Sequence, residues 1–282
     1  MGKINDALVK SDKESKSPTS AKKPSTYKVY DRKAREKESS DVIRTVFKSR
    51  DADKKLVSLF EPQSFEAEQF KHLRTNILFP VSGKLPRSIM VTSAVPDEGK
   101  SFVSSNLAVS IAQNIDQHVL LMDCDIRNAT IHSNFGFGDV AGLSEYLSKG
   151  TSLSSFLLKT EINKLTILPG GKPSENPAEL MSSNRMSNLL KEVTSRYGDR
   201  CIIIDSPPPH MTSETRVIAR QVDGILIVVK SGSTDREMVE ELIEMMGKEK
   251  VLGVVLNWFD MSSMKNYGYN KYPKYGKYYG KS

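Results

Sequence analysis

The sequence predicts an α/β protein: a mostly parallel sheet flanked by helices on both faces. Three observations carry that prediction. Six short runs rich in Val, Ile and Leu recur between residues 89 and 256. Helical patterns fill the intervals between them. Acidic or phosphate-binding residue types follow three of the runs directly, at the edge where such sheets bind ligands.

Residues 1–60 are expected to be mostly disordered, because Lys, Ser, Asp and Glu dominate and large apolar residues are few. Within them Ile4, Ala7 and Leu8 fall at i, i+3 and i+4, enough for a short amphipathic helix that docks a partner, or for a frayed terminus. Ser64 is a plausible N-cap for a helix running through Phe70, Leu73 and Ile77 towards Pro80. Strands are expected at 89–93, 119–122, 165–168, 201–204, 225–229 and 251–256. Helices are expected near 101–113, 178–196, 212–221 and 234–247. The chain thus divides into a basic N-terminal region (1–60), one globular domain (61–264) and a tail (265–282).

The net charge of +7 belongs to the ends. Residues 1–60 balance at +7, residues 265–282 at +5 and the middle at −5. Basic tails that meet acidic surfaces follow from this, and a nucleic-acid-binding body does not. No apolar run approaches 18 residues, so no membrane span is expected, and charges interrupt every early apolar group, which argues against a signal peptide. Cys124 and Cys201 lie in or beside strand-like runs, as buried thiols in a reducing cytoplasm would. The four histidines show no metal-ligand spacing.

The first strand runs into Ser93-Ala94-Val95-Pro96-Asp97-Glu98-Gly99-Lys100-Ser101, and a helix follows at once. Strand, loop and helix in that order are the setting of a P-loop, although Ala94 stands where the usual pattern has Gly. Backbone N–H groups near Gly99 and the helix N-terminus suit phosphate. Lys100 can reach the β and γ phosphates, and the Ser101 hydroxyl can hold Mg²⁺. The second strand ends in Asp123-Cys124-Asp125 and the fourth in Asp205, which fits a Walker B position. A lone Asp after a strand is usually a turn or cap. Three at the edge of a phosphate loop suggest a shell for metal-bound triphosphate.

The tail holds six of the ten tyrosines: Tyr267, Tyr269, Tyr272, Tyr275, Tyr278 and Tyr279, among Gly, Lys, Asn and one Pro. It has no pattern that could build a core. Taken alone it could be a solvated terminus, a base-stacking nucleic-acid arm or a set of phosphorylation substrates.

These motifs resemble the bacterial tyrosine kinases of the P-loop type, the BY-kinases, over roughly residues 64–282. The loop S-A-V-P-D-E-G-K-S is similar to that family's Walker A, L-L-M-D-C-D-I-R to its Walker A′ and I-I-I-D-S-P-P to its Walker B. The stretches 142–147, 168–181 and 223–230 also look familiar. The resemblance implies a partition-ATPase-like fold and transfer of phosphate from ATP, with Mg²⁺, to tyrosine. It implies that Pro96, Asp97, Glu98, Gly99, Lys100, Ser101 and Phe102 bind ATP and that Ser101, Asp123, Asp125 and Asp205 surround the metal. Lys100 and the three aspartates would be catalytic, Asp123 assisting the incoming phenol. The tail would be the autophosphorylation cluster. It further implies a ring-shaped homo-oligomer through an E-x-x-R-x-x-R helix, here Glu68, Lys71 and Arg74, with Lys in place of the first Arg. After Arg127 the family often has Pro, and this chain has Asn128-Ala129. A stand-alone member would work at the inner face of the membrane with an activator of the chain-length-regulator type and a cognate tyrosine phosphatase, in polysaccharide export. Two rival readings remain at this point: a partition- or septum-type ATPase, disfavoured because the loop lacks that class's early lysine, and an ATP-binding scaffold. Nucleic-acid binding is not expected.

Overall fold

The computed structural model describes residues 51–80, 83–196 and 200–259. The helix expected around Ile4 and Leu8 and the tyrosine tail lie outside the described residues. The strands are β1 Ser88–Ser93, β2 His118–Asp123, β3 Leu158–Lys159, β4 Leu165–Leu168, β5 Arg200–Asp205, β6 Gly224–Lys230 and β7 Val251–Asn257. They form one sheet in the order β3-β4-β2-β5-β1-β6-β7. Every neighbouring pair is parallel except β3 with β4. All six expected strands are present, and β3 is an added two-residue edge, too short for a pattern to reveal.

Side chains alternate along a strand, and both faces of this sheet are covered except at β7, where Leu252, Val254 and Leu256 are exposed. Met90, Met122, Ile202, Ile204 and Ile227 pack with Leu189 and Val193 of helix α7 (Asn184–Arg196), Ile218 of α8 (Glu214–Ala219) and Leu242 of α9 (Arg236–Met246). Ile89, Val91, Leu121, Ile203 and Val228 pack on the opposite face. Their partners there are Phe70 and Ile77 of α2 (Phe65–Leu78) and Val103, Leu107 and Ile111 of α3 (Lys100–Ala112). The Ser64 hydroxyl accepts from Ala67 N at 3.1 Å and caps α2 as expected.

Three features differ from expectation. The helix expected over 178–196 is two, α6 (Pro177–Met181) and α7, because the Ser183 hydroxyl accepts from Met186 N at 3.2 Å and starts a new helix. Short helices α1 (Val57–Phe60), α4 (Ile131–Asn134) and α5 (Leu143–Lys149) also form. Residues 51–60 belong to the folded body. Leu56 is buried, Asp53 N donates to Asn134 O at 3.0 Å and Ser58 N to Asn106 Oδ1 at 2.9 Å. A charged segment is held here by the burial of Leu56 and by long-range partners, among them the buried Asn106 amide of α3, that composition cannot show.

The strand order places the functional edge. The phosphate-loop strand β1 lies beside β5, and β2 lies on the other side of β5 with Asp123 directly opposite Asp205.

Candidate active site

From β1 to α3 the chain turns through Asp97 and Gly99, at φ 60° and 91°. Glycine takes the left-handed region freely. A Cβ on Gly99 would stand 2.1 Å from Asn257 Nδ2, and that amide donates to Glu98 O at 2.8 Å. The turn delivers Lys100 and Ser101 to the first turn of a 13-residue helix, whose free N–H groups and dipole favour an anion. A cleft of about 880 Å³ opens here, lined by Gly99, Lys100, Ser101 and Phe102 of the loop and by Asp125, Asn128 and Thr130 across from them.

Ser101 and Asp205 are brought together. The Ser101 hydroxyl donates to Asp205 Oδ2 at 2.6 Å, and the Ser104 hydroxyl donates to Asp205 Oδ1 at 3.0 Å. Asp205 is fully buried, and burial pushes its carboxyl up to about 6 against the pull of Ser101 and Lys100. Asp123 is raised well above the usual carboxylate range, first by burial and then by the Asp205 charge beside it. Its oxygens are engaged. Oδ1 accepts from Asp125 N at 3.2 Å, and Oδ2 from Thr130 N and Ile131 N at 3.0 Å each. Asp123 therefore ties down the loop from residue 124 to α4. Of the three strand-end aspartates Asp125 is the one that lines the cleft, and burial raises it while Lys100 opposes the shift.

Among the described residues no group of three or more His, Cys, Asp or Glu side chains could hold a metal ion by itself. The residues present nonetheless fit a Mg²⁺–nucleotide complex. Mg²⁺ keeps several waters and takes phosphate oxygens plus one or two protein ligands, and the Ser101 hydroxyl, fixed by a buried Asp205, has the chemistry of such a ligand.

The other predicted residues divide. Phe102 lines the cleft and packs edge-on against Phe70, with ring centroids 5.6 Å apart. Asp97 also lines the cleft, whereas Pro96 lies exposed on the loop. The Glu98 side chain is buried and accepts from Val95 N at 3.0 Å, Lys230 N at 3.1 Å and the Thr234 hydroxyl. It shapes the loop against β6 and leaves only backbone for a ligand. On α2, Lys71 Nζ pairs with Glu68 at 2.9 Å, and Arg74 Nη1 donates to Ser110 O in the last turn of α3 at 2.8 Å. All three residues of the expected oligomer motif are at hand on one helix, with partners inside the chain. The loop after β4 crosses close to Asp123: a Cβ on Gly170 would meet the Ala129 methyl at 2.6 Å. Cys124 and Cys201 are both buried and free.

Sequence reasoning missed Ser104, Asn257 and Trp258. Ser104 lies three residues past Ser101 on the same helix face, a spacing that could have found it. Asn257 ends, and Trp258 follows, a strand that carries no recognised motif, so only the topology, with β7 two strands from β1, brings them to the loop.

Residues 88–251 match the family model described as an AAA domain. Tyrosine-protein kinase YwqD of Bacillus subtilis is 35% identical over 216 residues, 76% of this chain and 90% of that protein. The chain belongs to the bacterial tyrosine-protein kinases. The kinase domain of Escherichia coli tyrosine kinase ETK superposes with TM-score 0.66 at 31% identity, covering 72% of this kinase and 79% of that chain. The chimerical protein CapA2B2 gives TM-score 0.66 at 32% identity, covering 79% and 98%. Membership decides against the partition-type ATPase, whose fold this kinase shares.

Proposed function

We propose that this kinase transfers the γ-phosphoryl group of Mg²⁺-bound ATP to tyrosine, first to the tyrosines of its own tail. The observation that supports the assignment of roles is the Ser101–Asp205 bond at the joint edge of β1 and β5. Lys100 and the N–H groups of the loop hold the phosphate oxygens. Ser101, aligned by Asp205, would hold Mg²⁺, which when bound neutralises charge on the β and γ phosphates. A tyrosine oxygen attacks the γ phosphorus, the bond to the ADP oxygen breaks, and the phenolic proton passes to a carboxylate. Asp125 faces the cleft and is placed to receive that proton. Asp123, behind it, keeps the Asp125 loop in position. Because a phenol has pKa about 10, a positioned carboxylate lowers the barrier to attack, and most of the rate comes from alignment and charge stabilisation.

The acceptors are Tyr267, Tyr269, Tyr272, Tyr275, Tyr278 and Tyr279, each of which would gain about −1.5 to −2 charge. The kinase acts in the cytoplasm at the inner face of the membrane. There it is switched on by a membrane activator of the chain-length-regulator type and reset by a tyrosine phosphatase, and it regulates polysaccharide synthesis and export. Tails are exchanged within a ring whose contacts include Glu68, Lys71 and Arg74. Among the described residues no helix is long and apolar enough to cross a membrane.

The test uses ATP labelled in the γ position. Active chain lacking 265–282 is mixed with Lys100→Met carrying an intact tail. Label on tyrosine of the Lys100→Met chain supports transfer between copies. Self-labelling by Lys100→Met alone would contradict the role given to the loop.

A further inference from the structure

Beyond the phosphate loop the cleft has two unlike sides. The strand order sets Asp125, Asn128 and Thr130, which follow β2, to one side of the loop, and Leu256, Trp258 and Phe259, at and beyond the end of β7, to the other. Trp258 is the chain's single tryptophan and follows β7 directly. It is 67% exposed, unusual for so large a ring on a folded body. Its backbone sits at φ 57°, a left-handed conformation that a bulky residue adopts only where its surroundings impose it and which clusters at ligand sites. Those surroundings are the loop itself. Trp258 Nε1 lies 3.7 Å from where a Cβ on Gly99 would be, the neighbouring Asn257 is bonded to Glu98 O, and Lys230 Nζ lies 5.6 Å from the ring centroid.

We propose that Trp258 is a base-binding residue of the nucleotide site, stacking its indole on the purine ring. The inference rests on the nucleotide reading of the loop. With phosphates pinned at Gly99–Ser101, the rest of the nucleotide must leave the loop on one side. The acidic side is needed by the acceptor tyrosine and offers carboxylates and amides. The aromatic side offers a flat, exposed π surface, which suits a purine and is indifferent to which groups decorate it. Phosphate contacts then set affinity through charge, and Trp258 adds the part that depends on a base. Strain at residue 258 is the local cost of turning the ring towards the loop.

The experiment is calorimetric titration of the full chain with Mg²⁺-ADP and, separately, with Mg²⁺-pyrophosphate, in wild type, Trp258→Ala and Trp258→Phe. Since no other tryptophan is present, wild-type fluorescence is followed in parallel. The expected result is an ADP affinity lowered on the order of tenfold in Trp258→Ala, pyrophosphate affinity unchanged, and Trp258→Phe close to wild type. ADP, but not pyrophosphate, alters the wild-type emission. Equal ADP affinity in Trp258→Ala overturns the proposal. So does a parallel loss for both ligands, which would show a distorted loop instead of lost stacking. Failure of the wild type to bind either ligand would overturn the nucleotide reading, and this inference with it.

Discussion

At the scale of single residues, the site works by holding one hydroxyl still. Ser101 is a short polar side chain with free rotamers, and the 2.6 Å bond to a buried Asp205 selects one of them. Asp205→Asn keeps the shape but exchanges an acceptor oxygen for a donor, against hydroxyls that already donate. We expect the rate of tyrosine phosphorylation to fall by about 10- to 100-fold, with a higher Mg²⁺ requirement, as is usual for groups that orient a metal ligand. Initial rates across a Mg²⁺ titration check this, and an unchanged requirement would remove Asp205 from that role. The thiols make a second prediction. Cys201 is buried in β5, and burial pushes its thiol up to about 12. Only the thiolate reacts, so at pH 8 about one thiol in ten thousand is reactive even before access is considered. A thiol reagent should therefore label Cys201 only on unfolding, and raising pH from 7 to 9 should not expose it. Mass spectrometry after native and denatured labelling tests both statements.

At the scale of elements, β7 was legible because its run of Val and Leu is apolar even where exposed, and the central strands β1, β2, β5 and β6 because they are buried on both faces. Val119 to Met122 and Ile202 to Ile204 are unbroken apolar runs for that reason. The phosphate loop was legible because its chemistry is local: nine consecutive residues hold the turn, the lysine and the hydroxyl. The N-terminal border of the domain was not legible. Residues 51–58 look like solvated chain, and among the contacts that hold them is Asn106, 48 positions away from Ser58, accepting from Ser58 N and donating to Lys55 O at 3.0 Å. Asn106→Ala leaves the buried Ser58 N–H without its acceptor, while Lys55 O keeps Val57 N as a donor, and should destabilise the fold by about 2 kcal/mol. It should also expose the chain near residue 55 to limited proteolysis. Urea denaturation and digestion mapping measure the two effects, and a stable variant cut no faster than wild type would show that Leu56 burial alone suffices. Trp258 was invisible for a related reason. One aromatic after a strand has no periodicity, and only the sheet order puts it beside Gly99.

At the scale of the whole molecule, charge is divided between a slightly acidic body and basic ends. The tail carries five lysines and no acid between residues 265 and 282, a charge that favours acidic surfaces before phosphorylation. Four phosphates at about −1.5 to −2 each would outweigh those lysines. An oligomer maintained by tail docking should then dissociate, more readily at low salt where charges are least screened. Sedimentation of the phosphorylated and unphosphorylated chains tests this, and identical mass distributions would contradict a charge switch. The central claim is that the Lys100–Ser101–Asp205 edge phosphorylates the tail. Intact mass after incubation with ATP and Mg²⁺ tests it most directly, run for wild type, Lys100→Met and a deletion of 265–282. The account predicts several 80 Da additions, roughly up to one for each of the six tail tyrosines. They should map to 267–279 in the wild type and be absent from both variants. Additions that persist in Lys100→Met, or ATP consumption without any addition in the wild type, would contradict it.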